Sequence, residues 1–162
     1  MNNTPMPIPE FHADDAQFSA LISSAVIPFF GGSTRTVYPI PGHDDKVLKV
    51  AKNGSNAANW AEAVIYQHVT DKSLFGRVLS ISQSGRFLVM ERLDDVSPDE
   101  VTNLQIPPWW TDRKSTNFGR SSCSGEVKIR DYALVNLNLG NLTPMPSAEE
   151  NNEMARWLRV CK

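Results

Sequence analysis

Three polar side chains between Thr111 and Ala133 have the types and spacing to do chemistry. Asp112 and Asn117 stand five apart with Lys114 between them, and Asp131 follows after a turn and an alternating apolar run. Two carboxylates and an amide at hairpin distance offer hard oxygen ligands to a divalent cation. The same layout leaves one carboxylate to orient a hydroxyl for phosphoryl transfer. Asp and Asn are also common turn residues, because their side chains cap nearby backbone groups. A plain turn and hairpin therefore accounts for the same three residues, and the upstream half of the chain bears on the choice.

The elements that must position these residues are legible as periodicity. Residues 1–12 are rich in proline and read as a loose arm. A helix is expected from Ala13 to Ala25, with Asp14 and Asp15 in its first turn and Phe18, Leu21, Ile22 and Ala25 as its apolar stripe. Phe29 to Tyr38 reads as strand, glycine turn, strand; Pro39 to Asp45 as a second turn; and Lys46 to Ala51 as a third strand. Strand alternation sets Lys49 on the opposite face from Leu48.

A second helix begins at Ser55 or Asn56 and reaches about Val69. Glu62, Ile65, Tyr66 and Val69 share one of its faces. A carboxylate on an apolar face needs a cationic partner if it is buried, and Lys49 is the obvious one. At the edge of the stripe Glu62 would instead reach water. Gly76–Ser82 and Arg86–Leu93 form a hairpin about Gln83-Ser84-Gly85. Ser97-Pro98-Asp99-Glu100 opens a short helix that Pro107-Pro108 stops, and Trp109-Trp110 anchors the crossing into the next segment. Leu134 to Pro146 is irregular, and Ser147 to Glu150 caps a final helix with Met154, Trp157, Leu158 and Cys161 on one stripe.

Composition sets the bounds. The chain has 162 residues, enough for one domain or two small lobes with a real core. A net charge of −2 gives no global basic field, so no nucleic-acid partner is expected. Two cysteines make neither a disulfide framework nor a zinc site, and a reduced, cytoplasmic setting is the default. No apolar run approaches membrane-spanning length, and the N-terminus lacks the pattern of a secretory signal.

The order is then glycine turn, strand with Lys, helix with Glu, hairpin, connector, Asp-x-Lys-x-x-Asn, Asp. Over about residues 29–133 it resembles the eukaryotic-type protein kinase fold, in a compact form similar to phage- and bacterium-encoded serine/threonine kinase-like proteins. The resemblance implies an α+β fold: an antiparallel N-lobe sheet with one helix packed on it and a strongly reduced C-lobe. It divides the chain into an N-terminal arm and helix (1–28), an N-lobe (29–93) and a reduced C-lobe (94–162). It implies that Gly31, Gly32 and Ser33 cover the phosphates of ATP, with Val37 below the adenine. Lys49 would pair with Glu62, Met90 would be the gatekeeper, and the backbones of Glu91 and Leu93 would meet adenine. Asp112 and Lys114 match the catalytic loop, and Asn117 and Asp131 match the magnesium ligands. Implied with them are ATP and Mg2+ as cofactors, a protein partner or substrate, and location in the cytoplasm, the host's if the chain is phage-encoded.

Four departures stand out. Arg35 replaces the third loop glycine, Trp110-Thr111 replaces His-Arg, Ala133 replaces the glycine after the Asp131 motif, and the connector from Leu93 to Asp112 is too short for two long helices. The first function class is therefore a minimal Mg-ATP kinase acting on protein Ser/Thr or on itself. The second is a pseudokinase-type interaction module with little turnover. A small-molecule phosphotransferase, which normally needs a large helical substrate lobe, ranks below both. An unrelated α+β domain is the bland alternative. Oligomeric state is not legible.

Overall fold

The computed structural model describes residues 5–22 and 26–133, and the backbone of a short strand at Thr143–Pro144. The final helix expected from Ser147 lies outside the described residues.

The fold is α+β, built on an antiparallel five-stranded sheet with few helices. Helix α1 (Asp15–Ser19) is shorter than the stripe suggests. Asp14 caps it by accepting from the Gln17 N–H at 3.1 Å, and a turn carries the chain on through Ile22. Strands β1 (Phe30–Gly31), β2 (Arg35–Ile40) and β3 (His43–Ala51) follow. The second turn is tighter than expected. β2 continues through Pro39 and Ile40, β3 resumes at His43, and Gly42, at φ 79°, makes the reversal. Pro39 is tolerated inside the strand because the pairing register slips beside it.

Helix α2 (Asn56–His68) comes next, then β4 (Val78–Ile81) and β5 (Phe87–Glu91). The strand order is β1-β2-β3-β5-β4. Strand β5 lies between two neighbours and is buried at every position, which suits its apolar run from Phe87 to Met90, and Glu91 closes it. Beyond it lie β6 (Leu93–Asp94), the expected short helix α3 (Pro98–Val101), which opens on a capping box at Ser97 and Glu100, and β7 (Gln105–Ile106). Strands β8 (Phe118–Ser121) and β9 (Val127–Ile129) form the expected hairpin, and β6 joins it as a third strand. The strand at Thr143–Pro144, β10, pairs with β7.

The sheet separates two apolar clusters. On one face Val47, Ala63, Leu88 and Met90 pack with Phe75, Trp110, Phe118, Ile129 and Tyr132. One core thus joins the sheet to the segment after Leu93. On the other face Leu48, Phe87 and Val89 pack with Ile40, Phe18 and Leu21, so a second helix, α1, covers the sheet's back. The N-terminal arm is not loose over its described part. The His12 N–H donates to the Ile81 carbonyl at 2.8 Å, and the Gln83 N–H donates to the Ala13 carbonyl at 2.9 Å. His12 also stacks on Trp60 of α2, centroids 5.8 Å apart.

Gly54 and Gly85 separate backbone strain from crowding. Both hold a left-handed backbone, at φ 76° and 75°. A Cβ at Gly54 meets nothing within 4 Å, whereas one at Gly85 lands 2.1 Å from Trp60 Nε1. We expect Gly54→Ala to cost about 1 kcal/mol, from strain alone. Gly85→Ala adds about 1–3 kcal/mol of overpacking. Urea denaturation reads both, and equal losses would mean that α2 is not seated against the β4–β5 turn.

Candidate functional site

The site grows from the alternation of β3. Val37 and Leu88 stand directly opposite Lys49 on the neighbouring strands, so Lys49 shares the sheet face that α2 covers. Its ammonium reaches Glu62 on α2, at 2.8 Å to Oε2 and 3.1 Å to Oε1. It also donates to the Arg130 carbonyl at 2.5 Å. Glu62 is wholly buried, so the periodicity question resolves toward the paired reading and away from the solvent edge.

Arg35 completes the cluster. It opens β2, opposite Ala51, and points from the same face as Lys49. Its Nη1 lies 2.8 Å from Glu62 Oε2 and its Nη2 lies 2.6 Å from Asp131 Oδ1. The Nη1 contact is an ion pair without an aligned hydrogen bond. The Tyr132 N–H donates to Glu62 Oε1 at 3.1 Å. Lys49, Arg35, Glu62 and Asp131 therefore meet, and Glu62 touches two cations and the Asp131 loop at once.

Burial and pairing pull these groups in opposite directions. Burial lowers the Lys49 ammonium; Glu62 resists and the neighbouring Arg35 does not, so it stays below the ordinary lysine value. Burial also disfavours the Arg35 cation, but Glu62 and Asp131 together outweigh it and raise its pKa. Burial pushes the Asp131 carboxyl up, and the charges of Lys49 and Arg35 bring it below the usual carboxylate value. Asp131 stands at the outer edge, with 42 % of its side chain exposed, against 7 % for both Arg35 and Lys49.

A second group adjoins the first. Asn117 closes a 3-10 turn over Ser115–Asn117, and its Nδ2 donates to the Asp112 main-chain carbonyl at 2.7 Å. Lys114 Nζ lies 3.0 Å from Asp112 Oδ1, and 19 % of the Asp112 side chain is exposed. Two bonds tie the groups together. The Arg130 N–H donates to the Asn117 carbonyl at 2.7 Å, and Trp110 Nε1 donates to the Asp131 carbonyl at 3.2 Å. The fully buried Trp110 thus links the segment before Asp112 to Asp131.

The glycine turn sits at the tip of β1 and β2. The Gly32 N–H donates to the Arg35 carbonyl at 2.8 Å, and the Lys52 ammonium caps the Gly32 carbonyl. Gly31 and Ser33 are exposed there. Val37 packs half-buried against the core, and Met90 is buried within it. The main chain of Glu91 and Leu93 is engaged within the protein: the Glu91 N–H donates to Arg77, and the Leu93 carbonyl accepts from Arg130 Nη1 at 3.2 Å. The Glu91 carboxylate is buried with Ser121, the Arg77 N–H and Lys128. Burial raises it, and those donors together hold it below the usual carboxylate value.

Asn117 and Asp131 each have one side-chain atom engaged within the protein. Arg35 holds Asp131 Oδ1, and the Asn117 Nδ2 donates to the Asp112 carbonyl, a bond that does not engage its Oδ1, the atom a cation would use. Among the described residues no group of three or more His, Cys, Asp or Glu side chains is placed to hold a metal. No helix among them is long and apolar enough to cross a membrane. Sequence reasoning missed Arg35 and Lys52 as site cations. Arg35 stood in view only as a missing glycine.

No protein-family model matches this chain, and no curated protein matches it in sequence.

Glu62→Ala would leave two buried cations short of their common carboxylate and should cost about 3–5 kcal/mol. Urea denaturation reads this, and a loss below about 1 kcal/mol would contradict the cluster. Asp131 carries a pH signature of its own. Because its folded pKa is depressed, its contribution is present above the ordinary carboxylate value and lost as pH falls through the folded one. The stability gap between wild type and Asp131→Asn should therefore close on acidification. A gap independent of pH would mean that Asp131 is not ion-paired.

Proposed function

We propose that the chain is a compact kinase-like module that holds the phosphates of a nucleotide, ATP above all, beside Lys49 and Arg35. The observation that carries this reading is the meeting of three separate segments at Glu62: β3 through Lys49, the glycine-turn strand through Arg35, and the Asp131 loop through Tyr132. A buried lysine oriented by a helical carboxylate, next to a loop that presents an aspartate, suits phosphate neutralisation. The pinned Asp131 and the engaged main chain of Glu91 and Leu93 favour a pseudokinase-type module whose main work is binding, with a protein partner.

One observation favours turnover as a second reading. Asp112 keeps part of its carboxylate accessible while Asn117 fixes its main chain and Lys114 stands beside it. That is the arrangement needed to orient the hydroxyl of a protein Ser or Thr, on a partner or on this chain itself. Transfer of labelled phosphate from ATP that is lost in Asp112→Asn would establish it.

Thermal unfolding with and without ATP tests the binding reading. At a hundredfold excess over its dissociation constant, ATP should add about 2.7 kcal/mol of stability. Lys49→Met should abolish that gain while still unfolding cooperatively. A wild-type protein that ATP does not stabilise at any concentration contradicts the proposal.

A further inference from the structure

Lys49, the cation that a ligand would have to meet, is already fully engaged. An ammonium has three N–H donors, and here three acceptors receive them: Glu62 Oε1, Glu62 Oε2 and the Arg130 carbonyl. The side chain is buried as well. We propose that Arg35 is a latch on this site: fastened to Glu62 and Asp131, it keeps Lys49 shut in, and a ligand enters only once the guanidinium has turned out. The inference rests on the nucleotide reading above and concerns the regulation of that site.

Three observations carry it. The first is position. Arg35 Nη1 and Lys49 Nζ share Glu62 Oε2, each at 2.8 Å, so the guanidinium lies beside the ammonium. Its Nη2 holds Asp131, the most exposed of the four side chains, at 2.6 Å. The guanidinium thus spans the cluster from its outer carboxylate to its buried one, and Lys49 is bound at the buried end.

The second is charge. Lys49 and Arg35 match Glu62 and Asp131, two cations against two carboxylates. The closed cluster is therefore neutral and offers an approaching anion no net attraction.

The third is where the latch is mounted. Arg35 opens β2 at the foot of the glycine turn, on the edge pair β1-β2 of the sheet. Gly31 and Ser33 of that turn are exposed, and a Cβ at Gly31 meets nothing within 4 Å. A segment with so little packed against it opens locally at low cost, and its movement carries Arg35 away from the two carboxylates. A closed majority lowers the apparent affinity for a ligand without abolishing it.

Acetylation of the lysines of the full chain, read residue by residue by mass spectrometry, tests this. Lys49 should label about tenfold or more slowly than Lys114, whose side chain is 67 % exposed. Arg35→Met keeps the bulk and removes both ion pairs, so it should speed Lys49 about tenfold. Loss of the neighbouring like charge alone would make the ammonium harder to deprotonate and slow it, so a faster rate reports access. Lys128, 13 % exposed and paired with Glu91, is the control and should stay slow. Lys49 labelling as fast as Lys114 in the wild type, no acceleration in Arg35→Met, or equal acceleration of Lys49 and Lys128 each overturns the latch. Should Arg35→Met fail to fold, Asp131→Asn serves: it cuts the outer fastening alone, and an unchanged Lys49 rate there overturns the proposal. ATP with magnesium, added to Arg35→Met, should slow Lys49 again. Failure to slow it overturns the nucleotide reading and leaves the latch standing.

Discussion

Lys49, Arg35 and the Asp131 loop meet at the carboxylate of Glu62. A wholly buried carboxylate is tolerated only where cations and N–H donors compensate its lost hydration. Here the compensation comes from three parts of the chain: Lys49 on β3, Arg35 on β2 and the Tyr132 N–H after Asp131. None of these contacts is local in sequence. They form only when α2, the sheet and the later hairpin have all docked, so one side chain reports on the whole assembly. The same contacts fix where any ligand would meet positive charge.

The apolar core makes this possible by joining what the sequence suggests are two lobes. Trp110, Phe118, Ile129 and Tyr132 pack in one cluster with Val47, Leu88 and Met90 of the sheet. With the later segment held there, Asp131 sits at the mouth of the cluster while Glu62 and Lys49 lie inside it. The pins on Asp131 and on the Glu91–Leu93 main chain describe a site arranged to hold its shape.

Much of this was legible in the sequence, for reasons that differ by residue. Two periodicities, a strand alternation and a charged residue on an apolar helical stripe, made the Lys49–Glu62 pair one of two open readings, the other being a Glu62 that reaches water. Both periodicities hold because the sheet and α2 are regular. The helix start at Ser97-Pro98 and the β8–β9 hairpin were legible because caps and hairpins are local. Arg35 was not. At the foot of a glycine turn its partners lie 27 and 96 residues away, and no local pattern encodes that reach. The docking of the N-terminal arm was hidden for the same reason, since its bonds are made to β4 and the β4–β5 turn. Pro39 misled in the other direction. Proline usually ends a strand, yet a register slip let β2 run on.

The proposed kinase-like reading depends on order and on convergence. The convergence has a direct physical measure in a double-mutant cycle on Lys49→Met and Glu62→Gln, with unfolding free energies taken at neutral pH. A coupling of about 1–3 kcal/mol is expected for a buried ion pair that the rest of the site depends on. Additive losses, with a coupling below about 0.5 kcal/mol, would show that Lys49 and Glu62 do not meet and would remove the foundation of the site.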